Sequence, residues 1–316
     1  MLFVHKDASA RRRFPFFASS PPKSPPGSLA RPFEDTVAAR LADLLRDASS
    51  LSWLARAVRV LALILDDAAA LLADSSASSS DLATLACYLD SGVVLLDICN
   101  AASAEIDRLL RRRLHLRFAI HAIATSDGGR DAERLRKARD SLAEWTACAR
   151  RSIKPSIVGL VRSLAPANPP RGKISIARRV IYAVEAVSSL IAGILVAVLG
   201  GSEQLTPASV PSDLPWAKEY NDLAAAISCE LVGDRFAAEL DAAEAAVKTL
   251  TDVISTDGDG ENTETTLRKY VESTEKATGG LTEALDELSN AVNGLFRSAL
   301  GLRNVTSQAF RVDSCN

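Results

Sequence analysis

From residue 81 to about residue 125 apolar side chains recur with helical spacing for roughly 45 residues, a rod near 65 Å long at the usual rise. Leu82, Leu85, Leu89, Val93 and Leu96 return at three- and four-residue steps, so one face of this helix is expected to be buried. Ser126-Asp127-Gly128-Gly129 ends the rod. Helical spacing resumes from Arg130 to Leu164, with a kink expected at Pro155, where the backbone ladder loses a donor. Two long helices joined by a tight turn form an antiparallel hairpin, the seed of a helix bundle.

The rod also carries polar residues inside its apolar text. In the stretch from Tyr88 to Arg113, Asp90 and Asp97 lie on a strip beside the apolar face, with Asn100 one turn beyond Asp97. A buried polar group must find a partner, so Asp97→Ala is expected to destabilise the bundle. The stretch closes in a dense arginine cluster of Arg108, Arg111, Arg112, Arg113 and Arg117. Arg130, Arg134, Arg136, Lys137 and Arg139 follow across the turn, so antiparallel packing brings both groups to one end of the hairpin. That end suits an acidic partner or anionic lipid headgroups, and it also suits a plain solvated end neutralised by Asp107, Asp131, Glu133 and Asp140.

Most of the remaining chain reads the same way. Phe33, Val37, Leu41, Leu44 and Leu45 mark a first helix, with Glu34 and Asp35 suited to its positive N-terminal end. Leu51 to Leu72 forms a second, and DSSASSS from Asp74 to Ser80 is a loop after which either Ser80 or Asp81 can cap the long helix. A further helix runs from Trp216 to about Ile254, and TDGDGEN from Thr256 to Asn262 is a loop without the spacing of a calcium site. The last helix covers about Thr265 to Leu302, with a break expected at Gly279-Gly280. With 47% hydrophobic but only 5% aromatic residues, the composition favours helices over strands. The fold class is all-α, long antiparallel helical hairpins forming a helix bundle over residues 33–304.

Residues 1–32 differ from the rest: six lysines and arginines, one acid and several Ser-Pro and Pro-Pro steps. Such a segment buries too little to offset its chain entropy and is expected to be a disordered basic tail. Few acids beside many Arg and Ser residues also fit a plastid transit peptide, although the prolines work against an amphipathic helix. Residues 305–316 are expected to form a flexible tail.

The segment from Val180 to Gly201 supports two readings. Between Glu185 and Glu203 it has no charge, and a helix apolar on all sides is either a membrane span or the central helix of a bundle. Lys173, Arg178 and Arg179 would hold its N-terminal flank in the cytoplasm if it spanned. Helices on both sides need each other for burial, which favours the central helix.

Catalytic signatures are missing from the text. Three histidines starve metal and general-base chemistry of its commonest ligand, and His115 and His121 point to different sides of one helix. Five cysteines stand without CxxC spacing, an odd count that suits a reducing compartment. A net charge of −2 gives no nucleic-acid signal. No enzyme is expected, and no cofactor or metal.

Several blocks together carry a resemblance. Leu51-Ser52-Trp53-Leu54, the run from Tyr88 to Asn100, the apolar segment ending Gly200-Gly201-Ser202, Trp216-Ala217 and the closing LDELSNAVNGLFRSALGLRN from Leu285 to Asn304 stand in this order. The sequence resembles the plant BYPASS-like family, which overlaps the ROH-type group. It departs from that pattern in its alanine- and arginine-rich filling and its shorter N-terminal region. The resemblance implies a non-enzymatic regulator of plant development, linked to restraint of a root-derived mobile signal that arrests shoot growth. For ROH-type members it implies exocyst subunits as partners, and membrane traffic. The family defines no catalytic residues, so the candidate structural and interaction residues are Asp90, Asp97, Asn100, Arg111, Arg112 and Arg113. The expected location is cytoplasmic or membrane-associated, with the plastid as alternative, and the oligomeric state stays open.

Overall fold

The computed structural model describes residues 30–46, 50–74, 81–124, 132–148, 155–166, 169–170, 174–200, 207–232, 238–255 and 261–313. The basic N-terminal segment up to 29, the DSSASSS loop beyond Asp74, the turn at 126–129, Arg130, most of TDGDGEN and residues 314–316 lie outside them. Among the described residues there are nine α-helices and no strand. In chain order they are α1 (Ala30–Leu44), α2 (Leu51–Asp74), α3 (Leu82–Ala124), α4 (Ala132–Ala147), α5 (Pro155–Ser163), α6 (Ile176–Gly200), α7 (Ala217–Val232), α8 (Ala238–Ser255) and α9 (Glu261–Asp313).

Two long rods organise the bundle. α3, with 43 residues, and α9, with 53, are about 65 and 80 Å long. They run antiparallel: Gly92 lies against Arg303, and Leu116 and Ile120 line the same cleft as Thr278 and Glu275. At one end α2 packs along α9, and α6 fills the space between α2 and α3, flanked by α1, α5 and α7. At the other end α4 and α8 cover α3 and α9 around a smaller core of Leu116, Ala119, Ala138, Leu142, Trp145, Val247, Leu250 and Ile254.

Local chemistry sets the helix ends. Ser50 Oγ accepts the Trp53 amide at 3.0 Å and caps α2, while the Trp53 indole donates to the Leu44 carbonyl at the end of α1 (2.9 Å). Ser175 does the same for α6 through the Arg178 amide. Glu34, 1% exposed, is held by Arg179 of α6 through two bonds of 2.8 and 2.6 Å. This acid therefore joins two helices instead of serving a helix N-terminus.

α6 lies where a central helix would. Val180 to Leu199 is almost continuously buried by protein, broken only by Glu185 and Ser189. Its length and composition would also suffice to cross a bilayer, and α3 meets the same measure with a far smaller share buried.

Several expectations change at the level of elements. The rod-shaped helix buries Leu85, Tyr88, Leu95, Cys99, Ala102, Ile106 and Leu109, and leaves Val93 41% exposed. Apart from Leu85, that stripe is the expected one displaced by one residue, roughly 100° around the helix. Pro155 does not kink one helix: α4 ends at Ala147 and Pro155 opens α5, the first-turn position where its missing donor costs nothing. The helix expected over 216–254 is two, α7 and α8. Gly279-Gly280 does not break α9, whose helix continues through both and beyond residue 304 to Asp313. Thr306 there is buried, its hydroxyl donating to the Leu302 carbonyl at 2.9 Å.

Candidate functional site

The arginine cluster of α3 divides between inside and outside. Arg108 donates twice to buried Glu105, at 2.8 and 2.6 Å, and also to the Cys148 carbonyl, which ties α3 to the end of α4. Arg112 is 4% exposed. Its guanidinium lies over the Trp145 ring, 4.0 Å from the centroid, with Nε donating to the Trp145 carbonyl (3.2 Å) and Nη1 3.7 Å from Glu244. Burial lowers the Arg112 pKa from its ordinary value and Glu244 opposes that, so the group stays a cation. It occupies the junction between the large core, which ends on α3 at Leu109, and the small core, which begins at Leu116.

Arg111, Arg113 and Arg117 face solvent instead. Among the described residues they make no ion pair; Arg111 donates only to the Asp107 carbonyl one turn back, at 3.2 Å. Between them on the helix surface stand Leu114, 51% exposed, and Phe118, 66% exposed. These residues form one wall of a groove of about 750 Å³ whose other wall is α9 at Glu275, Thr278 and Gly279. Gly279 opens that wall: a Cβ built there meets nothing within 4 Å. Sequence reading located the basic cluster but missed the groove, because its second wall is more than a hundred residues away in the chain.

The acidic strip is placed differently. Asp90, Asp97 and Asn100 are all exposed, so none is a paired polar group of the core. The carboxylate that faces this part of α3 is instead Glu185, half-buried on α6, which receives the Ser91 hydroxyl at 3.1 Å. Burial raises the Glu185 carboxyl above its ordinary value, and the Ser91 bond opposes this. Beside it, among the described residues, the buried Tyr88 hydroxyl finds no hydrogen-bond partner, and Arg303 of α9 lies over Gly92 with a buried Nε also unpartnered. The single charge in an otherwise apolar run was the available signal, but only packing shows that it faces α3.

Among the described residues no three His, Cys, Asp or Glu side chains converge as a metal site. His115 is half-buried and His121 exposed. Cys99 is buried, its thiol pushed up to about 12 by desolvation, which makes it an inert core side chain.

No family model matches the chain and no solved structure matches it. Curated proteins do. UPF0496 protein 4 of Oryza sativa subsp. japonica is 34% identical over 215 residues, 63% of this chain and 47% of the relative. Its counterpart in Oryza sativa subsp. indica is 34% identical over 246 residues, 71% of this chain and 54% of the relative. Protein BPS1, chloroplastic, of Arabidopsis thaliana is 29% identical over 217 residues, 63% of this chain and 60% of that protein. The chain thus spans about half the length of the rice relatives it matches. Over the region it shares with them, the chain is a homologue of the UPF0496 and BPS1 proteins, the relationship that the BYPASS-like resemblance of its sequence leads one to expect.

Proposed function

We propose that this protein is a non-enzymatic regulator of plant development of the BYPASS type, acting by protein–protein contact. The observation that carries the reading is the similarity to Arabidopsis BPS1, 29% identity over 63% of this chain. The exposed groove on α3 and α9 supports contact as the mode of action, since an apolar ridge this open is a candidate binding surface. The finer reading is restraint of a root-derived mobile signal that would otherwise arrest shoot growth. Expression of the chain in Arabidopsis plants lacking BPS1 tests this. Restored shoot growth is the expected result, and persistent arrest despite normal protein levels would reject the reading.

A second reading is a single-pass membrane adaptor in exocyst-linked traffic, favoured by the length and apolar character of α6. Its burial against α2, α3 and their neighbours argues for the first reading. Carbonate extraction of membranes carrying the tagged chain separates the two, and release into the supernatant is expected. Asn304-Val305-Thr306 adds a reporter, since a glycosidase-sensitive form lost in Asn304→Gln would place α9 in the secretory lumen and support the span. A fluorescent fusion tests the plastid as its location.

A further inference from the structure

The groove between α3 and α9 has a shape and a charge that specify its occupant. From Arg113 to Ala124 its α3 wall runs about three helical turns, roughly 16 Å. Leu114 and Phe118 stand one turn apart on that wall, the spacing at which an incoming helix offers apolar anchors. Phe118, at 66% exposure, is the most exposed large apolar side chain among the described residues. Arg113 and Arg117 flank the ridge on one side and Arg111 on the other, none of them ion-paired among the described residues. The facing wall supplies one acid, Glu275. The rim is therefore cationic around an apolar floor.

Gly279 adds an independent feature. A glycine in the interior of a helix costs stability relative to alanine. No neighbour requires its small size, since nothing lies within 4 Å of a Cβ built there. The missing side chain leaves the groove open. A flat bilayer would meet the ridge but not the floor, and it would bring Glu275 against anionic headgroups.

We infer that this groove docks an acidic amphipathic helix of a partner protein, with Leu114 and Phe118 taking its apolar face and Arg111, Arg113 and Arg117 its carboxylates. The inference rests on the protein-contact reading above and specifies the class of partner. An amphipathic helix with leucine and phenylalanine on one face and glutamate on the other binds here. The same helix with lysine for glutamate does not.

The test uses the purified full-length chain and these two synthetic peptides, labelled for fluorescence anisotropy. Gly279→Leu fills the groove with a better helix former, so its melting temperature is expected to stay level or rise while affinity for the acidic peptide falls about tenfold or more. Arg113→Glu with Arg117→Glu is expected to cost a similar factor at low salt and less at high salt. Equal binding of the acidic peptide to the parent and Gly279→Leu overturns the proposal, as does no binding at all. Anionic phosphatidylserine vesicles that bind both forms alike, and lose binding only on arginine reversal, would make this a lipid surface and overturn it. Self-association abolished by Gly279→Leu would seat a second copy in the groove and likewise overturn it. Plant rescue decides the developmental reading separately. A chain that rescues but ignores the peptide loses the groove alone; one that binds the peptide but fails to rescue loses the developmental reading alone.

Discussion

At Arg112 a cation sits in the bundle interior against the Trp145 ring, the Trp145 carbonyl and Glu244, while its buried Nη2 finds no hydrogen-bond partner among the described residues. Arg112→Ala should destabilise the chain by about 1–3 kcal/mol, drawn from the cation–π contact and a hydrogen bond left unmade. Glu244 contributes little to that sum, being 40% exposed and 3.7 Å away. Arg111→Ala, one residue earlier and solvent-facing, should change stability by less than about 0.5 kcal/mol, and Asp97→Ala should behave the same way. Urea melts of the three variants check this, and equal midpoints for Arg112→Ala and Arg111→Ala would contradict it. Glu185 gives a pH effect of definite sign. Its folded pKa lies above the unfolded one, so the native state holds the proton more tightly. Its contribution is therefore fully present below the ordinary carboxyl pKa and is lost as pH rises through the folded value. Glu185→Gln keeps an acceptor for Ser91 without the charge. It should raise the melting temperature at neutral pH and flatten the decline expected of the parent from mildly acid to neutral pH. A variant no more stable than the parent at pH 7 would refute the assignment.

At the scale of elements, α3 shows why a stripe of side chains can be right in period and wrong in phase. Its buried positions step by three and four from Leu85 to Leu109, a seven-residue repeat that drifts about 20° per heptad on a straight helix. Over the length of α3 the seam winds around the rod, so contact passes to α4 and Arg112 comes inside. Leucine, valine and alanine lie on nearly every side of this helix, so the sequence pattern alone left its phase open. α9 gives the opposite lesson, since two adjacent glycines carry a strong breaking signal yet the helix continues. Packing of Leu281, Leu285 and Leu288 on one side and Thr274 on the other holds both flanks in register. Gly280 is exposed and a Cβ there meets nothing within 4 Å. Gly280→Ala should therefore stabilise α9 by about 0.5–1 kcal/mol, read as a higher melting temperature. A lower one would show that the glycine is conformationally required.

Across the whole molecule, stability is unevenly spread between the two cores. The large core draws on α1, α2, α3, α6, α7 and α9, with Leu240 from the start of α8, and the small one on α3, α4, the rest of α8 and α9. Opening free energies follow buried contact. Amide exchange should be slowest in α2 and α6 and faster in α4 and α8, with α3 and α9 slow in their large-core halves only. Hydrogen-exchange mass spectrometry checks this, and uniform protection along α3 would contradict it. The Arg108 and Arg112 bonds to α4 lie where the two cores meet, so loss of Arg112 should raise exchange in α4 before it affects α2.

The sequence by itself determined the class of molecule: the helical periods of α1, α2, α3 and α9, the all-α composition and the apolar identity of α6 are local properties of the text. The arginine cluster was equally plain in it. Which of those arginines turn inward was decided only in the folded chain, because the answer depends on where Trp145 and Glu244 come to lie. The same holds for Asp90, Asp97 and Asn100, whose exposure follows from the phase of α3 against α6 and α9. The groove belongs wholly to tertiary structure. Phe118 and Gly279 are 161 positions apart in the sequence, and no local propensity links a phenylalanine on one helix to the gap on another. Only the antiparallel packing of two long rods sets the ridge beside the space it overlooks.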